Sequence, residues 1–275
     1  MASARRTVLK RVNRLASQSE AAHSRPPVPT GPLELAELVG LQLDHWQQQA
    51  LTSRAAQLLL NCARQTGKST VAALLATHKA LTVAGSLTLI VGPSERQARE
   101  CFQKCARFYK DLGYPVPADS DRKLGLELST GSRIEALPGS EKTVRGFSAV
   151  DLLIIDEAAR VSSELYYSVR PMLAVSGGRL LMMSTPYGRR GAFYQEWEDG
   201  GPQWERFEVL ASECPRIPPE FLEAERSRLP EWVYRQEFEC EFAEIEGQVF
   251  SHEMIQRAVS TEVEPIVFTS DAEEW

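Results

Sequence analysis

From residue 57 onward the chain alternates short, almost wholly apolar runs with longer stretches whose apolar positions recur every three or four residues. The runs are Gln57 to Ala63, Leu87 to Val91, Ala149 to Ile155, Arg179 to Ser184 and Phe207 to Ala211. Runs this short, bounded by Gly, Ser, Asp or Pro, predict strands buried on both faces. The stretches between them, Lys68 to Val83, Glu95 to Leu112, Ser163 to Leu173 and a shorter piece near Phe193 to Trp197, predict helices. Two further runs meet at Ser129-Thr130-Gly131-Ser132 and predict a hairpin. Strands alternating with helices predict an α/β fold with a mainly parallel central sheet flanked by helices.

The two ends read differently. Residues 1–24 are basic and rich in Ser and Ala, and lead into Arg25-Pro26-Pro27-Val28-Pro29-Thr30-Gly31-Pro32, where the prolines forbid a continuing helix. Leu35, Leu38, Leu41 and Leu43 then carry a helical spacing through Leu33 to Ser53. From Pro218 on, Phe221, Leu222, Leu229, Trp232, Val233, Tyr234, Phe238 and Phe242 stand among many charges, as in an amphipathic helical subdomain. The predicted organisation is an arm and linker over 1–32, a core over 33–212, and a helical lid with a tail over 213–275.

Composition changes this picture little. The 275 residues carry a net charge of -6, so a nucleic-acid contact has to be local. No run approaches the roughly 20 apolar residues that cross a bilayer, and the basic N-terminus lacks the apolar segment of a secretory signal. Five cysteines do not make a disulfide framework. Cys101 and Cys105 lack a second Cys/His pair at zinc spacing and read as thiols of the core or surface.

The chemistry concentrates at two strand ends. Phosphate binding needs backbone N–H groups at a helix N-terminus, an amine for the outer phosphates and a hydroxyl for Mg2+. The loop between the first strand and the next helix, Cys62-Ala63-Arg64-Gln65-Thr66-Gly67-Lys68-Ser69-Thr70, supplies all three, with Cys62 where the common G-x-x-x-x-G-K-[ST] pattern has its first glycine. The second end is Ile154-Ile155-Asp156-Glu157. A carboxylate at the carboxyl end of a buried strand meets the crevice where ligands bind in open α/β sheets. Asp156 is therefore assigned to the Mg2+ shell and Glu157 to deprotonating water. A third buried strand ends in Ser184-Thr185-Pro186, where a hydroxyl can sense the γ-phosphate or the attacking water.

These residues together resemble the ATPase domain of bacteriophage terminase large subunits, over about Leu41 to Phe250. In that family the phosphate loop often lacks its first glycine and carries the form R-Q-x-G-K-[ST], which Arg64 to Ser69 match. The resemblance implies a P-loop NTPase fold, ATP and Mg2+ as ligands, and ATP hydrolysis that drives double-stranded DNA into a capsid. It implies an adenine-reading role for Gln47, a γ-phosphate contact for Arg64, a coupling role for Thr185 and a lid-closing segment over Tyr234 to Phe242. Arg145 falls where related motors carry an arginine finger acting on the neighbouring subunit's ATP; a contact to DNA phosphate competes with that role. The implied partners are DNA, a capsid portal, a small terminase subunit and further copies in a ring, with no membrane. The implied place is the host bacterial cytoplasm, at the procapsid.

Full terminase large subunits continue into a nuclease domain, for which the residues after the lid are too few, so no DNA cleavage is expected of this chain alone. Two other readings share the motifs. One is a helicase-like or remodelling ATPase, the other a non-hydrolysing prophage remnant.

Overall fold

Gln57–Cys62 forms β1, and its neighbours explain why its middle is three leucines in a row. Leu58 and Leu60 face one apolar core while Leu59 faces another. The same alternation divides Ile154 from Leu153 and Ile155 in β6 (Leu152–Asp156), and Leu181 and Met183 from Leu180 and Met182 in β7 (Arg179–Ser184). Side chains of period two meeting apolar cover on both sides require unbroken apolar runs.

In this computed structural model, which describes residues 25–138, 144 and 146–243, the remaining strands are β2 (Leu87–Gly92), β3 (Ala118–Arg122), β4 (Gly125–Leu128), β5 (Arg133–Pro138) and β8 (Trp204–Val209). The sheet order is β3-β4-β5-β2-β6-β7-β1-β8. Pairing is parallel from β5 to β8 and antiparallel along β3, β4 and β5. The expected α/β architecture with a mainly parallel sheet is what the chain adopts.

One face of the sheet carries α1 (Pro32–Leu38), α2 (His45–Thr52), α3 (Lys68–Thr82) and α4 (Glu95–Asp111), whose Leu35, Ala50, Leu74 and Phe102 share one core. The other face carries α5 (Ser163–Val169) and α6 (Gly191–Glu198), through Leu165, Tyr166 and Phe193. Cys101 and Cys105 are buried thiols of the first core, as one of their two readings had it. No helix of the described residues is long and apolar enough to cross a membrane.

The segment expected to form a helical lid carries two helices, α7 (Pro219–Arg228) and α8 (Glu231–Phe238). After α8 the chain returns to the body: Phe242 joins the second core, 5.1 Å from the ring of Tyr194 and 6.0 Å from that of Phe193.

Four expectations need correction. The helical stretch Leu33 to Ser53 is two helices, because Gly40 turns the chain at φ 72 and Asp44 starts a new helix. The strand expected from Ala149 begins at Leu152, since Ala149 sits at φ 55, outside the strand region. The strand expected over Phe207 to Ala211 runs from Trp204 to Val209, and Ala211 already starts a 3-10 turn. The helix expected over Ser163 to Leu173 is α-helical only to Val169 and continues as a 3-10 turn over Arg170–Leu173, with Pro171 in it. The hairpin at Ser129 to Ser132 is present between β4 and β5.

Candidate active site

β1 ends at Cys62, and Ala63 N still donates to Val209 O of β8 at 2.9 Å, so the loop departs from a fixed point. Thr66 is buried and its hydroxyl closes the loop by donating to Ala63 O at 2.9 Å. Gly67 adopts φ 98, a left-handed region that a Cβ resists, and a Cβ there would stand 2.4 Å from Gln47 Nε2. α3 begins at Lys68 with no side-chain cap on its first N–H groups, which leaves them to an anion. Lys68 is buried, and its Nζ donates to Thr185 Oγ1 at 3.1 Å and lies 3.5 Å from Cys62 O.

Sheet order brings the acids to this loop. β7 lies between β1 and β6, so the carboxyl ends of all three strands stand side by side, with Asn61 opposite Ser184 and Met183 opposite Asp156. Asp156 is 6% exposed. Burial above all, and then the charge of Glu157, pushes its carboxyl up to about 7, against the opposing pull of Lys68 and of Glu157 N–H, which donates to Asp156 Oδ1 at 2.9 Å. Glu157 takes a left-handed backbone, φ 50 and ψ 44, which costs a residue other than glycine about 1 kcal/mol or more. The turn behind it is tied to β7 by Ala159 N, which donates to Ser184 Oγ at 3.2 Å.

A cleft of about 610 Å³ opens over these groups. It brings together Gln47, Arg64, Gln65, Gly67, Lys68, Ser69, Thr70, Asp156 and Glu157. Thr185 and Thr66 lie beneath, buried. Arg145 lies outside the described residues. Gln47 is also buried, with Oε1 accepting from Asp44 N at 2.9 Å and Nε2 donating to Thr66 O at 3.4 Å. Arg64 is ion-paired with Glu237 of α8 at 2.6 Å, and Arg64 N donates to Glu237 O at 3.1 Å.

The sequence reasoning did not find the residues that complete the opposite wall. Arg216 donates through Nη1 to Asp44 Oδ1 at 2.6 Å and through Nη2 to Thr66 O at 2.9 Å. Gln97 and Lys104 of α4 also line the cleft. None of these has a motif of its own; only the tertiary fold assembles them.

Residues 59–257 match the family described as terminase large subunit, T4likevirus-type, N-terminal. The chain belongs to this family. Curated relatives within the terminases include the large subunit of Thermus virus P23-45, 26% identical over 250 residues that cover 78% of this chain and 52% of the relative. The large subunit of Escherichia phage T5 is 26% identical over 195 residues, 68% of this chain and 44% of that one. The chain thus spans about half the length of the curated terminases it matches. In fold it is similar to the large terminase ATPase domain of Thermus phage P74-26, with a TM-score of 0.67 and 24% identity over 76% of this chain and 97% of that one. The large terminase of another thermophilic bacteriophage, solved in complex with ADP, superposes with a TM-score of 0.61 at 13% identity, over 73% of this chain and 54% of that one.

Chemically, this terminase cleft sets an uncapped helix start and a buried amine beside a buried carboxylate and a half-buried glutamate, next to an arginine. That arrangement suits a polyphosphate: cationic and N–H groups are placed to meet its oxygens, with two acids beside them.

Proposed function

We propose that this cleft binds ATP with Mg2+ and hydrolyses it, and that the chain is the ATPase part of a motor that moves double-stranded DNA into a viral capsid. The observation that carries the reading is the Lys68 amine, held on Thr185 over an uncapped helix start, with Asp156 and Glu157 at the neighbouring strand end.

The triphosphate lies along Gln65 to Thr70, where backbone N–H groups take its oxygens and Lys68 reaches the outer phosphates. Asp156 fits a metal-bound role: it is a buried carboxylate whose charge is only partly compensated by the protein. With the Ser69 hydroxyl it would hold Mg2+, which when bound supplies positive charge to the phosphate oxygens. Glu157 orients the attacking water and takes its proton. Arg64 serves the γ-phosphate, and Thr185, bonded to Lys68, couples phosphate state to β7. Gln47, at the rim of the loop, is assigned to the adenine. Arg145 is assigned to the nucleotide of a neighbouring copy.

The partners on this reading are DNA, a capsid portal, a small terminase subunit and further copies in a ring. The place is the procapsid in the host bacterium's cytoplasm. ATP turnover with and without double-stranded DNA, for the wild type and Glu157→Gln, tests it. The wild type is expected to turn over faster with DNA, and Glu157→Gln to bind ATP but lose about 100-fold or more in rate, the usual worth of a general base. No wild-type turnover, even with DNA and portal, would sink the enzymatic reading. Unwinding of a forked duplex without portal binding would replace the motor with a helicase-like enzyme.

A further inference from the structure

Arg216 lies in the connector between β8 and the lid, far in sequence from every element it touches. Its Nη2 donates to Thr66 O at 2.9 Å, and Gln47 Nε2 lies 3.4 Å from the same oxygen. Its Nη1 donates to Asp44 Oδ1 at 2.6 Å. Asp44 starts α2, its side chain is 12% exposed, and its Oδ2 is buried without a partner, so Arg216 is the charge that makes its burial tolerable. One guanidinium fork therefore joins the start of α2, the phosphate loop and the lid connector.

The Thr66–Gly67 peptide is trans, so its C=O and its N–H point in opposite directions. Fixing Thr66 O on the Arg216 side turns Gly67 N–H to the other side, into the loop's cradle. Without a restraint this peptide rotates readily, because Gly67 tolerates both signs of φ.

We infer that Arg216 is a positioning residue for phosphate binding: by holding the Thr66 carbonyl it presets Gly67 N–H toward the phosphates. The inference rests on the reading of the cleft as a polyphosphate site. It makes the phosphate loop's geometry depend on a residue of the lid connector, so displacement of that connector would loosen the grip on phosphate.

The test compares binding of ATP with that of inorganic tripolyphosphate, which has neither base nor ribose, by calorimetry on the full chain. Arg216→Ala is expected to weaken both by the same factor, about tenfold, the scale of one charge-assisted hydrogen bond, measured well below a Tm that falls by a few degrees as Asp44 loses its charge partner. Arg216→Lys keeps a charge but cannot bond Asp44 and Thr66 O together, and is expected to lose nearly as much. Asp44→Asn keeps a helix-capping side chain while removing the charge partner; about threefold is expected from it, and no further loss when combined with Arg216→Ala. Tripolyphosphate binding unchanged in Arg216→Ala, with ATP binding reduced, would make Arg216 a contact to base or sugar and overturn the inference. So would additive losses in the double variant, or full rescue by lysine. If the wild type binds neither ligand, the reading of the cleft itself fails and takes the inference with it; if it binds both and Arg216→Ala binds equally well, only the inference fails.

Discussion

The two walls of the cleft are built on opposite terms. The wall at the ends of β1, β6 and β7 comes from contiguous motifs and places charge where folding alone would not: Asp156 at 6% exposure, Lys68 at 7%, and Glu157 in a left-handed backbone. The opposite wall is assembled from α2, α4 and Arg216 of the 214–218 connector. It is held by ion pairs at its rim, Arg216 with Asp44 and Arg64 with Glu237, and by Phe242 returning to the core. The first wall gives up stability to place charge in the cleft, while the second ties the segment after β8 to the body. Substitutions in the first should therefore remove activity without weakening the fold, and those in the second should weaken it.

The largest effect is expected from Lys68→Ala. It deletes the amine that the loop holds on Thr185, which is buried where the other cations of the cleft, Arg64, Lys104 and Arg216, are not. ATP turnover is expected to fall about 1000-fold or more, with nucleotide affinity falling alongside, on the scale at which such charge stabilisation works. Tm should hold or rise, because a buried charge with only neutral oxygens within bonding distance is removed. A Tm lower by several degrees would erase the contrast between the walls.

The first wall was legible in sequence because each part is local. β1, β6 and β7 are apolar runs whose alternate residues all need cover, and the helix after the loop follows from its periodicity. Arg64-Gln65-Thr66-Gly67-Lys68-Ser69 and Asp156-Glu157 are assigned from the chain alone, and the fold places them in one cleft. The second wall was not legible, because what matters there is which distant residues meet. Arg216 stands 150 residues from Thr66 and 172 from Asp44. Gln47 has a polar setting in sequence, yet it is buried by the loop it touches. β3, Ala118-Asp119-Ser120-Asp121-Arg122, escapes the sequence pattern because an edge strand exposed on both faces has no apolar alternation. The first half of β8 hides in Trp204-Glu205-Arg206, where the Arg206 guanidinium donates to the carbonyls of Glu196, Trp197, Gly201 and Trp204.

Phe242→Ala probes the second wall. Its ring packs against Phe193, Tyr194 and Trp197, and it draws the segment after α8 onto the body. Truncation is expected to lower stability by about 3 kcal/mol, read by chemical denaturation, as for other buried phenylalanines. Turnover per folded molecule at low temperature should fall much less than in Lys68→Ala. A variant of unchanged stability would mean that Phe242 does not anchor the segment.

The effect that fades as pH falls, and the sharpest test of the contrast, is the pH dependence of Asp156. Its carboxyl in the folded chain is pushed up to about 7, from an ordinary value of 3.8, by burial and by Glu157. Between those two values the folded chain holds a proton that the unfolded chain has released, so this group's contribution to stability falls as pH rises from about 4 to about 7 and stays low above that. Asparagine has the same shape and no charge to bury. Asp156→Asn is therefore expected to be more stable than the wild type at pH 8, by on the order of 4 kcal/mol in the nucleotide-free protein, with the gap shrinking to less than half at pH 5 and closing only near pH 4, where the unfolded chain is protonated as well. Tm measured across pH 5 to 8 for both proteins reads the difference directly. A constant gap at all pH values would place the cause in packing rather than in ionisation, and a less stable variant at pH 8 would mean that the carboxylate is satisfied where it lies.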